Sequence, residues 1–254
     1  MSRALKIFAV WTRTKCGRKE FHRARLSQEQ PSVPANNKPE MALVIKMVKK
    51  GLFITFDGPE GCGKSTHSKL IVEYLKSKGL DIVYTREPGG TAIGESIRDV
   101  LLDCRNKGMS VMTEAFLYLA ARAQIVNEVI APALKKGKTV ICDRFQDATV
   151  AYQGYAGGID IKLLDELGKI AASGLKPDLS IFLDIDAVLG LKRAGGKDRM
   201  EKKSLLFHSK VRNGYLALAK KHLGRIKLIK VKGAVEETQQ KIRKIIDQCL
   251  LNRF

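Results

Sequence analysis

The sequence predicts an α/β fold, a parallel five-stranded sheet with helices on both faces. Three observations carry that expectation. Short apolar, β-branched runs recur from Gly51 onward, and longer segments of helical period lie between them. With 254 residues and 44% hydrophobic content, the chain can also build a full core, yet it has no apolar stretch of the ~20 residues that a membrane span needs. Alternating strands and helices imply right-handed crossovers and a sheet buried on both faces. Ligands of such sheets bind beyond the carboxyl ends of the strands, so candidate chemistry is sought just after each one.

The elements follow in order. Residues 1–46 stand apart as a basic extension of low apolar periodicity. Residues 1–50 hold 12 Lys and Arg against 3 acids, and "RTKCGRKEFHRARLSQEQPSVPANNKPE" contains three prolines, a composition that predicts disorder. Three origins compete: untranslated sequence ahead of a true start at Met47, an Arg-rich organelle presequence, or a solvated basic tail that touches a polyanion. The first strand is "LFITF" at 52–56, followed by the glycine-rich "DGPEGCGKST" and a helix through "HSKLIVEYLKSKG". "DIVYT" at 81–85 is the second strand. "TEAFLYLAARAQIVNEVIAPALKKG" reads as one long helix, with Thr113 as its N-cap and Gly137 as its stop. "TVICD" at 139–143, "LSIFLDI" at 179–185 and "IKLIKV" at 226–231 complete the strands, and a last helix runs over 235–251.

Charge and cysteines bound the function. The formal charge of +20 invites nucleic acid, but nearly half of the excess sits in the first fifth of the chain, so nucleic-acid binding is not expected. The five cysteines (Cys16, Cys62, Cys104, Cys142, Cys249) show no C-x-x-C pair and no metal spacing, which suits reduced, buried thiols.

Gly58-Pro59-Glu60-Gly61-Cys62-Gly63-Lys64-Ser65 fits G-x-x-x-x-G-K-[ST] between a strand and a helix, the pattern of a phosphate-binding loop. The loop and Thr66 are the expected ATP-binding residues. Backbone N–H groups turn inward, the helix adds its positive end, Lys64 bridges the β- and γ-phosphates, and Ser65 offers a hydroxyl to Mg²⁺. No N-K-x-D base reader of GTPases is present. At the end of the third expected strand, Asp143 is placed to hold Mg²⁺ through water, and Arg144 to meet a second phosphate. Thr149, Tyr152 and Gln153 offer hydrogen bonds and a flat wall for a base and sugar. The bland alternative for Asp143 and Arg144 is a structural ion pair.

Together these motifs resemble the thymidylate kinase (dTMP kinase) family of bacterial type, among the P-loop nucleoside monophosphate kinases, over nearly all of residues 51–251. The resemblance rests on "GPEGCGKST", "TREPGGTAIGESIRDVLL", "YLAARAQ", "DRFQDATVAYQGYAGG" and the lid-like "KDRMEKKSLLFHSKVRNGYLALAK". It implies transfer of phosphate from ATP to dTMP with Mg²⁺, for dTTP biosynthesis, by a cytoplasmic homodimer. It also implies roles. Glu60 accepts from the sugar 3′-hydroxyl, Arg98 and Arg144 hold the acceptor phosphate, and Tyr118 stacks on thymine. Arg122 contacts a thymine carbonyl, Thr149 and Gln153 read the base edge, and Tyr152 crowds the ribose 2′-position. Glu87 is a candidate to help hold metal or acceptor.

Gly61 stands where one family type has an arginine, so the catalytic arginine is expected from a short, glycine-rich lid at about 193–204. Arg193 and Arg199 are the candidates there, with Lys197 as a third, and Glu201 orients the lid. Residues 47–254 form the expected catalytic domain. A kinase for another monophosphate is the near alternative. A non-catalytic nucleic-acid binder with an inherited loop is the distant one, and intact Lys64, Ser65, Asp143 and Arg144 weigh against it.

Overall fold

A computed structural model describes residues 51–251. The expectations for residues 1–46 lie outside them. The strands β1 (Phe53–Asp57), β2 (Ile82–Arg86), β3 (Thr139–Asp143), β4 (Leu179–Asp184) and β5 (Ile226–Lys230) form one parallel sheet in the order β2-β3-β1-β4-β5. All five expected strands are present, the first two displaced by one residue.

Every residue of β1, β3 and β4 is buried, whereas the edge strands β2 and β5 are partly open. This is why the central runs are continuously apolar rather than alternating. Phe56 lies opposite Asp143, and Asp57 opposite Phe182, so the central strands end level and carry Asp57, Asp143 and Asp184 at one edge.

The helices are α1 (Lys64–Ser77), α2 (Ala92–Leu102), α3 (Val111–Ile125), α4 (Ala131–Lys135), α5 (Gln146–Thr149), α6 (Ile161–Ala171), α7 (Ala187–Ala194), α8 (Leu205–Lys221) and α9 (Val235–Leu251). Successive strand residues point to opposite faces. Ile54, Phe56, Ile181 and Leu183 therefore pack on Ile71 and Leu75 of α1 and on Ile242 and Ile246 of α9. Phe53, Val140 and Cys142 pack on Ile125, Ile130 and Leu134, while Phe182 packs on Val211, Tyr215 and Leu218 of α8.

The long apolar helix differs from expectation in two ways. Its cap is Ser110, whose Oγ accepts from the Thr113 N–H at 3.1 Å, so Thr113 is three residues inside. It also widens to a π-helix over Val126–Ile130 before α4. Pro132, which has no N–H to donate and crowds the preceding turn, sits at the exit of that stretch. Among the described residues no helix is long and apolar enough to cross a membrane.

Candidate active site

β1 delivers the chain to Gly58, and α1 takes it up at Lys64. Gly58 has φ 140° and Gly61 φ 67°. A Cβ on Gly58 would run into the carbonyl of Leu183, and one on Gly61 into that of Gly190. Only glycine meets both demands. Lys64 is buried, and its Nζ donates to the carbonyls of Pro59 at 2.8 Å and Gly58 at 3.2 Å. A buried ammonium with neutral partners, at a helix N-terminus with no acid in its first turn, attracts an anion. Burial pushes the Cys62 thiol up despite Lys64 and Arg144 nearby, so Cys62 packs the loop rather than reacting.

At the end of β3, Asp143 Oδ2 accepts from Ser65 Oγ at 2.5 Å, joining the loop to the neighbouring strand. The next residue, Arg144, has a left-handed backbone with φ 71°, a strain of about 1–3 kcal/mol for a side chain of this size. Its N–H is tied to the Phe56 carbonyl at 2.9 Å. The guanidinium meets Glu60 Oε1 at 2.8 Å and the hydroxyls of Tyr152 and Tyr215, each at 3.1 Å. Tyr152 itself donates to Glu60 Oε1 at 2.7 Å. Burial tends to raise the Glu60 pKa, but the charges of Arg144 and Lys64 and the Tyr152 hydrogen bond outweigh it and hold the carboxyl at about 2. Asp57 behaves oppositely. Burial, reinforced by Asp147, pushes it well above the usual carboxylate range, and among the described residues only one of its oxygens is bonded, to Tyr215 at 3.3 Å.

Glu60, Lys64, Ser65, Asp143, Arg144 and Tyr152 face one cavity of about 380 Å³, with Asp57 and Tyr215 behind them. Its wall brings together Glu60, Gly61, Gly63, Lys64, Ser65, Thr66, Arg98, Tyr118, Arg122, Asp143, Arg144, Thr149, Tyr152 and Gln153. Gly58, Pro59 and Cys62 shape the loop from behind. Tyr118 and Arg122, one turn apart on α3, share the cavity face as their spacing predicts. Thr149 ends α5, and Tyr152 and Gln153 lie in the π-helical stretch Val150–Ala156 that continues it.

Arg122 is more committed to the protein than expected. Its Nε and Nη2 reach Glu87 Oε2 at 2.9 and 2.6 Å, Nη1 reaches Gln146 at 2.6 Å, and Nη2 also reaches Thr149 at 3.0 Å. Of its five N–H groups, one on Nη1 is left for a ligand. Glu87 is thus first the partner of Arg122, with Oε1 still unpaired among the described residues. Arg98 donates to the Pro88 carbonyl at 2.9 Å, and burial together with nearby Arg86 lowers its pKa.

The segment expected to form a lid places its two arginines differently. Arg199 is buried and turned from the cavity, with Nε on the Leu101 carbonyl at 2.7 Å and Nη1 on Glu114 at 2.7 Å. Arg193 is exposed on α7, its Cβ 3.1 Å from where a Cβ on Gly61 would stand. Lys197 is exposed too, and its N–H donates to Glu201 at 2.7 Å.

A hydroxyl and a carboxylate are hard oxygen donors of the kind Mg²⁺ prefers. Among the described residues no group of three or more His, Cys, Asp and Glu is placed to hold a metal. Ser65 Oγ and Asp143 Oδ2, in contact with each other, are donors that fit Mg²⁺, an ion bound through one or two protein oxygens with the rest from water and phosphate. Sequence reasoning missed Glu114, Gln146, Asp57 and Tyr215. Each acts through partners distant in sequence, and no local pattern marks it.

A family model described as thymidylate kinase matches residues 56–242. A thymidylate kinase of Symbiobacterium thermophilum is 46% identical over 205 residues, covering 80% of this chain and 96% of its own. One of Geotalea daltonii is 49% identical over 199 residues, covering 74% and 93%. The crystal structure of thymidylate kinase from Ehrlichia chaffeensis is similar with a TM-score of 0.64 at 34% identity, covering 77% of this chain and 98% of that one.

Proposed function

The chain belongs to the thymidylate kinase family, and on that premise we propose how its residues divide the work. The enzyme transfers a phosphoryl group from ATP to dTMP, giving ADP and dTDP. One observation carries the assignment of roles: the phosphate loop and the Glu60–Arg144–Tyr152 triangle line the same cavity.

The acceptor needs no general base, because a nucleotide monophosphate has its second pKa at about 6 and is already a nucleophile near neutral pH. Catalysis is then alignment of two phosphates and neutralisation of the moving charge. Arg144 and Arg98 hold the acceptor phosphate. Glu60, ionised down to about pH 2, takes the 3′-hydroxyl, and the Tyr152 ring excludes a 2′-hydroxyl. Tyr118 stacks on the base, while Arg122, Thr149 and Gln153 read its edge. Lys64 spans the β- and γ-phosphates, and Arg193, exposed beside Gly61 and outside the cavity wall, supplies a further cation for the transferred group. Ser65 and Asp143 would hold Mg²⁺, which supplies further neutralisation of phosphate charge when bound.

Exposed apolar side chains on α2 and α3 (Ile93, Val100, Met112, Phe116) support a homodimer packed through these helices. We take residues 47–254 as the catalytic unit, with a lid at about 193–204, residues 1–46 as a basic extension, and the cytoplasm as the place of reaction. The decisive experiment is Lys64→Ala. It should keep the fold and lose dTMP-dependent ADP release, and turnover within a few-fold of the parent would refute the loop assignment.

A further inference from the structure

Glu114, in the first turn of α3, is 1% exposed, yet it is the partner of three polar side chains. Gln153 Nε2 donates to its Oε1 at 2.8 Å, Lys203 Nζ lies 3.1 and 3.0 Å from its two oxygens, and Arg199 Nη1 is 2.7 Å from Oε2. A carboxylate has no hydrogen to give, so the Gln153 amide cannot turn over. Its nitrogen belongs to Glu114, and its oxygen is the atom left for a ligand of the cavity that Gln153 lines. Arg199 and Lys203, both from the lid segment, occupy the remaining lone pairs and hold the carboxylate in place.

We infer that Glu114 is a specificity-determining positioning residue: it fixes Gln153 as an acceptor, so the base must present an N–H donor there. Thymine and uracil carry a hydrogen on N3, whereas cytosine carries a lone pair. Against Oε1, cytosine would set two acceptors face to face with no hydrogen between them. The contact does not sense the 5-methyl group, so thymine and uracil are equivalent to it. The inference rests on the placement of Gln153 at the base edge proposed above.

The test is Glu114→Gln, assayed with dTMP, dUMP and dCMP at saturating ATP, beside Gln153→Leu. The introduced amide offers a hydrogen as readily as a lone pair, which frees Gln153 to turn. The kcat/KM ratio of dTMP to dCMP should fall about 10-fold or more, as expected when a buried polar match is lost, while the ratio of dTMP to dUMP stays put. A merely structural role would lower all three substrates alike, and that result, or no change, overturns the inference. If instead Gln153→Leu leaves the dTMP to dCMP ratio unaltered, the placement of Gln153 itself fails. Should Glu114→Gln not fold, the unmodified enzyme decides. A kcat/KM for dCMP at least about 10-fold below that for dUMP is expected, and near parity means the amide turns freely and the inference falls.

Discussion

Arg122 meets Glu87 through two donors, at 2.6 and 2.9 Å, with the side chains only 1% and 3% exposed. The residue proposed to read the base therefore also neutralises a buried carboxylate. Arg122→Ala should cost about 3–5 kcal/mol in urea unfolding, because it strands Glu87. Pairing Arg122→Met with Glu87→Gln should recover much of that loss. A single-variant cost below about 1 kcal/mol would mean that water reaches Glu87 freely. Kinetic effects of Arg122→Ala thus speak to base recognition only after correction for the folded fraction.

The two arginines of the proposed lid are expected to divide in the same way between chemistry and structure. Arg193→Ala should lower kcat about 100-fold or more, the scale of losing a transition-state charge partner, with little change in melting temperature. Arg199→Met should instead cost about 1–3 kcal/mol of stability, because Glu114 loses one of its hydrogen-bonding cations. Steady-state kinetics and thermal melts on both variants check the division, and the reverse pattern would exchange the two roles.

Glu60 makes a pH prediction. Its carboxyl sits at about 2 in the folded chain against an ordinary 4.5, so the unfolded state takes up the proton first. Its contribution to stability is complete above pH 4.5 and is lost as pH falls toward 2. The stability difference between the parent and Glu60→Gln should stay flat from pH 7 to 5 and shrink below that. A difference unchanged at pH 3 would contradict the pairing with Arg144.

The Ser65–Asp143 contact predicts metal dependence. Asp143→Asn should raise the Mg²⁺ concentration for half-maximal rate by about 10- to 100-fold, as for groups that orient a metal ligand. Titration of activity with Mg²⁺ measures it, and an unshifted midpoint would remove Asp143 from the metal's surroundings.

The site residues proposed above all lie within the described residues 51–251. A chain that starts at Met47 should keep full turnover and lose no more than about 0.5 kcal/mol of stability. A large drop in melting temperature would show that the extension packs on the domain.

The sequence by itself determined the features whose causes are local. "LFITF" and "TVICD" are strands because each is a short apolar, β-branched run bounded by a glycine, after the first at Gly58 and before the second at Gly137. The phosphate loop is legible because its glycines, lysine and hydroxyls stand within ten residues, between a strand and a helix. Tyr118 and Arg122 share a face because residues four apart on a helix must. Only the tertiary structure decided which distant groups became partners. The pairing of β1 with β3 brings Ser65 to Asp143 across 78 positions, and the packing of helices brings Arg144 to Tyr215 across 71 and Arg199 to Glu114. Arg193 and Arg199 look alike in the lid sequence. One is exposed beside Gly61, while the other is buried on a carboxylate. The physical reason is that periodicity reports which face of an element is apolar, whereas the partner of a buried charge is set by which elements pack together across space.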